Sequence, residues 1–363
     1  MEQVRKAIRL GLEKDIAFVA YRLPGKREEV QVIMQLGGDA KETDIEELEQ
    51  NSGFFIAPFE SAAHGKMNYI QPDLVVSENS KPVSLDRLIN LPDPGGQKNR
   101  IANHEMSRDD YMSRATYLVN MLNNSGLEKI VLSRMFNLPH IPGFQVIDFY
   151  LELIKKYPET FVYLFNLPGR KTWIGASPET LFSLTEKSAE TMALAGTLPV
   201  DNPAWTKKEI NEQLIVSNFI KEVLAAQNIV KYKAGKPVSI IAGNVVHIKT
   251  SFLFNPEVVK GITGSLVKAL HPTPAVCGYP KEMAFELIRK VEKHERRFYT
   301  GFLGPWNLDG HSHLFVNLRC AEIGNDEMNL YVGGGITADS DPESEWEETL
   351  RKAQTLLTVV EKL

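Results

Sequence analysis

Cysteine is scarce in this chain: Cys277 and Cys320 are the only two among 363 residues. Two is too few for a disulfide framework, and they lack the paired spacing of a zinc site, so a reducing cytoplasm is the expected setting. A charge excess of one sign is lacking as well. Lysine and arginine number 41 against 46 aspartates and glutamates, a net charge of -5, so no broad basic field draws nucleic acid or an anionic membrane. A small molecule is the expected partner. Long apolar runs are missing too. The opening stretch MEQVRKAIRLGLEKDIAFVAYRL carries a charge every few residues, which argues against a signal peptide or a membrane span. No repeat or low-complexity tract occurs. What remains is ordinary globular composition, 43% hydrophobic and 24% charged, with length for one large domain or two intimate ones.

Apolar spacing predicts a helix over Met1 to Leu12 and a strand in IAFVAYRL. The stretch from Ser77 to Asn103, centred on LPDPGGQKN, reads as a surface loop or joint. Beyond it come a helix from Asp109 to Leu122, the strand KIVLSRMFNL, a helix from Val146 to Lys156, and FVYLFNL with KTWIGASPETLFSL as a hairpin around a Pro-Gly-Arg turn. Thr206 to Gln227 is a long amphipathic helix. Strands follow in VSIIAGNVVHIKT, TGFLGPWNL, SHLFVNLRCAEI and MNLYVGGGI, and a helix runs from Pro342 to the C-terminus. Hairpin-joined strands with separate long helices define an α+β class with large, mainly antiparallel sheets.

Two helices each carry a Glu-x-x-Glu pair: Glu209 with Glu212, and Glu345 with Glu348. Residues i and i+3 share a helix face, so each pair presents two carboxylates in one direction. Four such groups could hold a hard cation, and magnesium suits a site that also admits an anionic substrate. The same residues have plainer uses. Acids near a helix N-terminus favour the dipole, and Glu348 is spaced for an i,i+4 bridge to Lys352. The segment LYVGGGITADSDPESEWEE sets three glycines between a strand and a helix capped by Ser340 or Asp341. Such glycines serve either close backbone approach to an anion or a tight turn. Arg319 lies within the apolar run LFVNLRCAE, where a guanidinium needs a partner, either a bound carboxylate or an internal salt bridge. Lys129 opens KIVLSR on the same face as Val131 and Ser133. A desolvated lysine there could act as a base, whereas most strand-end lysines extend to solvent. Glu179 follows a proline in GASPETL, usually a solvated position, and His247 in VVHIKT reads most simply as a satisfied strand histidine.

Together these segments resemble the chorismate-utilising enzymes, a family that includes anthranilate, aminodeoxychorismate, isochorismate and salicylate synthases. KIVLSR, GASPETLF, LAGT, KKEINEQLIV, LHPTPAVCGYP, RRFYTGFLG, VNLRCAEI and GGGITADSDPESEWEETLRKAQ occur in the family's order between about Asp109 and Leu357. The resemblance implies one catalytic domain over 1–363, with a variable part over 1–105 and a motif-bearing part over 106–363. It implies two antiparallel sheets packed face to face with helices outside. It also implies Mg2+ held by Glu212 and Glu348 directly, and by Glu209 and Glu345 directly or through water. Arg319 and the backbone of Gly333 match the group that binds the enolpyruvyl carboxylate. Lys352 and Thr197 match substrate contacts, Tyr299 a pocket wall, and His247 is counted with the substrate-binding set.

In the isochorismate and salicylate branches, as the resemblance implies, water is activated by a lysine at the place of Lys129. A glutamate matching Glu179 protonates the departing hydroxyl. The ammonia-using branches fit less well: Ala195 stands where aminodeoxychorismate synthases carry a lysine, Ala193 where anthranilate synthases carry a proline, and no glutaminase segment is evident. The expected activity is therefore isochorismate synthase, by a monomer or homodimer without a glutaminase subunit. The alternatives are salicylate synthase and an inactive chorismate-binding protein. Two residues depart from the wider pattern: Arg297 where many members have glycine, and Gln213 where His or Asn is frequent.

Overall fold

The strand FVYLFNL is apolar at every position because both of its faces are covered. Phe161, Tyr163, Phe165 and Leu167 point into one core, Val162 and Leu164 into another. The same division runs through the whole computed structural model, which describes residues 1–26, 29–37, 39–78, 81, 83–93, 101–169, 171–201 and 204–363. One sheet orders its strands as Gly278–Tyr279, Lys129–Pro139, Glu327–Ile336, Cys320–Ile323, Lys171–Ser177, Phe161–Leu167, Phe18–Arg22, Gln31–Met34 and Leu74–Ser77. The other runs Tyr232–Ala234, Val245–Phe254, Ala189–Pro199, Thr180–Leu184, Ser312–Val316, Phe302–Trp306, Gly53–Ala57, Lys66–Ile70 and Lys41–Asp44, with Val238–Ala242 also paired to Val245–Phe254. The pairings are antiparallel.

The sheets meet through an aromatic core. Phe161 of the first stacks on Phe315 of the second with ring centroids 4.1 Å apart, and Tyr21, Phe54, Trp173 and Tyr331 extend the layer. Helices cover the outer faces. Glu2–Glu13, Val146–Lys156 and Pro342–Val360 pack on the first sheet, Lys207–Ala226 and Thr263–Leu270 on the second. Arg108–Asn124 and Lys281–Val291 lie over Lys129–Pro139. The expected α+β architecture is thus observed, and the first hundred residues add three strands to the end of each sheet. Among the described residues no helix is long and apolar enough to cross a membrane.

Two expectations are corrected. KTWIGASPETLFSL is two strands, not one hairpin arm. Lys171–Ser177 pairs with Phe161–Leu167, then the chain crosses at Pro178–Glu179 and continues in the other sheet as Thr180–Leu184. SHLFVNLRCAEI divides likewise, into Ser312–Val316 and Cys320–Ile323, so Arg319 lies in a crossing, with φ +49, and not within a strand. Proline explains the first break, since it ends ladder bonding. Hydrogen bonds between the two crossings explain why they coincide. Val316 N donates to Glu179 O at 3.0 Å, and Ala176 N to Arg319 O at 3.1 Å. The expected loop over 77–103 contains the short helix Asp86–Ile89. The centre of LPDPGGQKN and the arginine of the Pro-Gly-Arg turn lie outside the described residues.

Arg297 adopts φ +51, which gives a physical reason for glycine at this place in other members. Gly301 is needed for a different reason. A Cβ there would meet the backbone oxygen of Ala57 at 2.0 Å, where strand Gly53–Ala57 runs past, and backbone cannot move aside cheaply. Gly301→Ala is predicted to destabilise the fold by on the order of 2–4 kcal/mol in urea denaturation. A wild-type midpoint in the variant would contradict this packing.

Candidate active site

The two crossings and the glycine-bearing strand enclose a cavity between the sheets. Its walls include Glu179, Thr197, Glu212, His247, Tyr299, Arg319, Gly333 and Lys352, which are eight of the twelve residues singled out from sequence. Lys129 lies immediately behind it. Glu209, Glu345 and Glu348 stand outside the cavity wall, on the two helices that flank it.

Lys129 begins its strand with no solvent exposure, and its Nζ lies 2.7 Å from Glu212 Oε1. The approach lacks hydrogen-bonding angles, so the amino group has a carboxylate beside it without being tied. The usual extension to solvent does not occur here. The glycine run makes this possible: a Cβ on Gly335 would meet Glu212 Oε1 at 2.5 Å and Lys129 Cε at 2.9 Å. Gly333 likewise leaves room for Tyr299, whose hydroxyl would be 2.9 Å from an added Cβ.

Glu179 owes its position to the first crossing, which aims its side chain between the sheets. It is 2% exposed, and Oε1 has no hydrogen-bond partner among the described residues. Burial pushes its pKa up to about 8, against the opposing pull of Lys129 and Lys352. The solvated position expected for a post-proline turn is therefore not what the fold provides. A carboxyl that keeps its proton at neutral pH can donate it.

Arg319 is held by a histidine and not by a carboxylate. His247 Nδ1 lies 3.0 Å from the carbonyl oxygen of Gly196 and 3.3 Å from Thr197 Oγ1. A carbonyl only accepts, so Nδ1 carries the proton and Nε2 is free to accept from Arg319 Nη2 at 3.2 Å. Burial, aided by the charges of Arg319 and Lys352, lowers the His247 pKa to about 3 and keeps the ring neutral. Arg319 Nη1 has no partner among the described residues, although burial lowers its pKa only to about 10. An ionised guanidinium with a free edge in a buried cavity is suited to a carboxylate. Lys352 Nζ adds positive charge nearby, donating to Gly333 O at 2.8 Å and pairing with Glu348 at 2.6 Å.

Glu209 takes the plainer of its two expected uses. With Thr206 it closes a capping box at the start of Lys207–Ala226, accepting from Thr206 N at 2.9 Å. Its Cβ side crowds Gly196, whose φ of +70 makes a bulge in strand Ala189–Pro199. Gln213 ties the same helix to the sheet through Thr250 Oγ1 at 3.1 Å and Ala193 O at 3.3 Å. On the other helix, Asp341 is the cap, its side chain accepting from Ser344 N.

Among the described residues no three acidic, His or Cys side chains are arranged to hold a metal ion. The donor set nonetheless has the chemistry for a hard divalent cation. A Cβ on Gly334 would have Glu345 Oε2 at 3.3 Å and Glu348 Oε1 at 3.8 Å, and Glu212 meets the next residue, so oxygens from two helices gather on adjacent glycines. Burial and the charge of Glu348 push the Glu345 pKa up to about 7, the sign of crowded carboxylates. Lys208 was missed by the sequence reading. It is spaced i,i+4 to Glu212, the mark of an ordinary helix-surface pair, yet it reaches across to Glu345.

A two-sheet α+β fold around this cavity defines a class, and the chain's relatives identify it. Residues 81–361 match the family described as chorismate binding enzyme, and the chain belongs to that family. It is 30% identical over 265 residues to the vibriobactin-specific isochorismate synthase of Vibrio cholerae, covering 69% of this chain and 66% of that one. It is 29% identical over 269 residues to isochorismate synthase DhbC of Bacillus subtilis, covering 69% and 67%. Both alignments span about two thirds of the relative's own length. The solved structure of DhbC from Bacillus anthracis superposes with TM-score 0.78 over 98% of this chain and 99% of that chain, at 24% identity.

Glu179 makes stability depend on pH in a defined direction. The folded protein keeps a proton up to about pH 8 that the unfolded chain releases near 4.5. Its contribution is therefore undiminished below about 4.5 and is lost as pH rises towards 8. Glu179→Gln, neutral throughout, is predicted to be more stable than wild type at pH 8 by on the order of 2–4 kcal/mol. The difference should shrink at pH 5. Urea denaturation at both pH values measures it, and an equal difference at the two would contradict a buried neutral carboxyl.

Proposed function

We propose that this chain is an isochorismate synthase that converts chorismate to isochorismate with the help of Mg2+. The observation that carries the reading is one cavity holding a buried carboxyl at Glu179, an untied amino group at Lys129 behind it and an open guanidinium edge at Arg319. The reaction needs a base, an acid and an anion clamp, and these residues supply them.

Arg319 Nη1, held by His247 from the other edge, takes a carboxylate of the substrate. Lys352 and the backbone beside Gly333 add to the clamp, with Tyr299 as the wall. Lys129, acting as the free amine, accepts a proton from water as its oxygen bonds to C2 and becomes an ammonium beside Glu212. The ring double bonds shift, the C4–O bond breaks, and Glu179 gives its proton to the departing hydroxide. One water enters and one leaves, so the product is an isomer. Glu212, Glu345 and Glu348 would hold the cation, with Glu209 in support through its cap. Magnesium would steady negative charge on the ring carboxylate during this shift.

Similarity to isochorismate synthases of two organisms supports the choice of branch. The vibriobactin-specific relative supports siderophore formation as the destination of the product. Ala195 lines the cavity where an amine nucleophile would be required for aminodeoxychorismate, which speaks against that branch.

Purified protein incubated with chorismate and Mg2+ is expected to yield isochorismate as its major chromatographic product. Salicylate with pyruvate would instead assign a further elimination, an aminated product in ammonium salts would overturn the branch, and unchanged chorismate would overturn the activity. Lys129→Ala is expected to lose turnover by about a hundredfold or more, the usual scale for a general base. Because the acid must be protonated, the rate should fall as pH rises through about 8. A rate still climbing at pH 9.5 would remove Glu179 from that role.

A further inference from the structure

Three carboxylates around the glycine strand are each answered by one lysine: Glu212 by Lys129, Glu348 by Lys352, and Glu345 by Lys208. The lysines differ in their freedom to leave. Lys129 has no exposure, and Lys352 is anchored twice, to Glu348 and to Gly333 O. Lys208 is 24% exposed and reaches a Glu345 that is only 1% exposed. It also lines an outer groove between helix Lys207–Ala226 and the turn at Thr337–Asp339, a groove shared with Asn211, Leu214 and Asn218. Lys208 therefore has open space beside it.

We infer that Lys208 is the resident counter-cation of this carboxylate cluster, standing in for the charge of a divalent ion and withdrawing into the outer groove when the ion binds. The inference rests on the magnesium reading above. It adds that the ion competes with a side chain of the protein itself. Lys208 pairs with Glu345, whose Oε2 gathers with Glu348 Oε1 on Gly334. Without Lys208, Glu345 is buried beside Glu348 with no cation of its own, at a cost to the metal-free protein. With it, the ion must displace an ion pair before it can bind, which weakens its affinity.

The test is Mn2+ binding to the full chain without substrate, read as the loss of the free-ion signal in electron paramagnetic resonance. Lys208→Met is expected to bind Mn2+ more tightly than wild type by on the order of tenfold, the scale of one ion pair. Its thermal midpoint without metal should fall, and Mn2+ should raise it by more than in wild type. Lys208→Arg, which keeps the charge, should retain wild-type affinity. Equal or weaker binding by the methionine variant overturns the role of Lys208 while leaving the cation site intact. Absence of Mn2+ binding in wild type and variant alike overturns the magnesium reading, and the role of Lys208 with it. A measurement on wild type stands apart from the folding of any variant: acylation of Lys208 by a succinimidyl ester, followed by peptide mass spectrometry, should increase when Mn2+ is present. Unchanged or reduced labelling would contradict withdrawal into the groove.

Discussion

Charge removed from water has to be answered at close range, and nearly every feature of this site follows from that requirement. Lys129, Glu179, Glu345 and Arg319 are all buried. Lys129 is answered by Glu212 and Glu345 by Lys208. Glu179 has no hydrogen bond at Oε1 and is left neutral by desolvation. Arg319 keeps its charge with one edge on a neutral histidine and the other edge free. The free edge and the neutral acid are the two unanswered features of the cavity, and both suit an anionic ligand that also needs a proton. The carboxylate–lysine pairs keep the remaining charge balanced.

The fold makes this arrangement possible by moving strands between sheets. Pro178–Glu179 and Asn317–Arg319 are where the chain leaves one sheet for the other, and their mutual hydrogen bonds bring Glu179 and Arg319 together. The strand Glu327–Ile336 contributes by what it omits. At Gly333 and Gly335 the missing side chains leave room for Tyr299, Glu212 and Lys129. A bulge at Gly196 presents its carbonyl to His247, and so links the arginine clamp to the helix that carries Glu212. The histidine that holds Arg319 and the helix that carries Glu212 thus meet at this bulge.

Much of this was legible in the sequence. The periodicity places Val146–Lys156 and Phe161–Leu167 at the boundaries observed, and the capped helix starts at Thr206 and Asp341 carry clear chemical signals. Eight of the candidate residues line a common cavity because the ordered motifs marked them. What could not be read was direction. A two-residue crossing between sheets leaves no break in hydropathy, so Arg319 looked like part of a strand and Glu179 like part of an exposed turn. Glu209 carried two meanings, metal ligand and partner of the helix dipole, and the fold shows its carboxylate turned to Thr206 in a capping box that the sequence reading did not name. Lys208 shows the converse: its local spacing suggested Glu212, while its partner belongs to a helix more than a hundred residues away.

The protonation state of Glu179 is the point on which the chemical account rests. Infrared difference spectra of wild type against Glu179→Gln, recorded from pH 5 to pH 10, report that single carboxyl directly. A protonated carboxylic C=O band that persists through neutral pH and gives way to carboxylate near pH 8 is the predicted result. A carboxylate already ionised at pH 6 would contradict the account, because the cavity would then contain no acid for the departing hydroxyl.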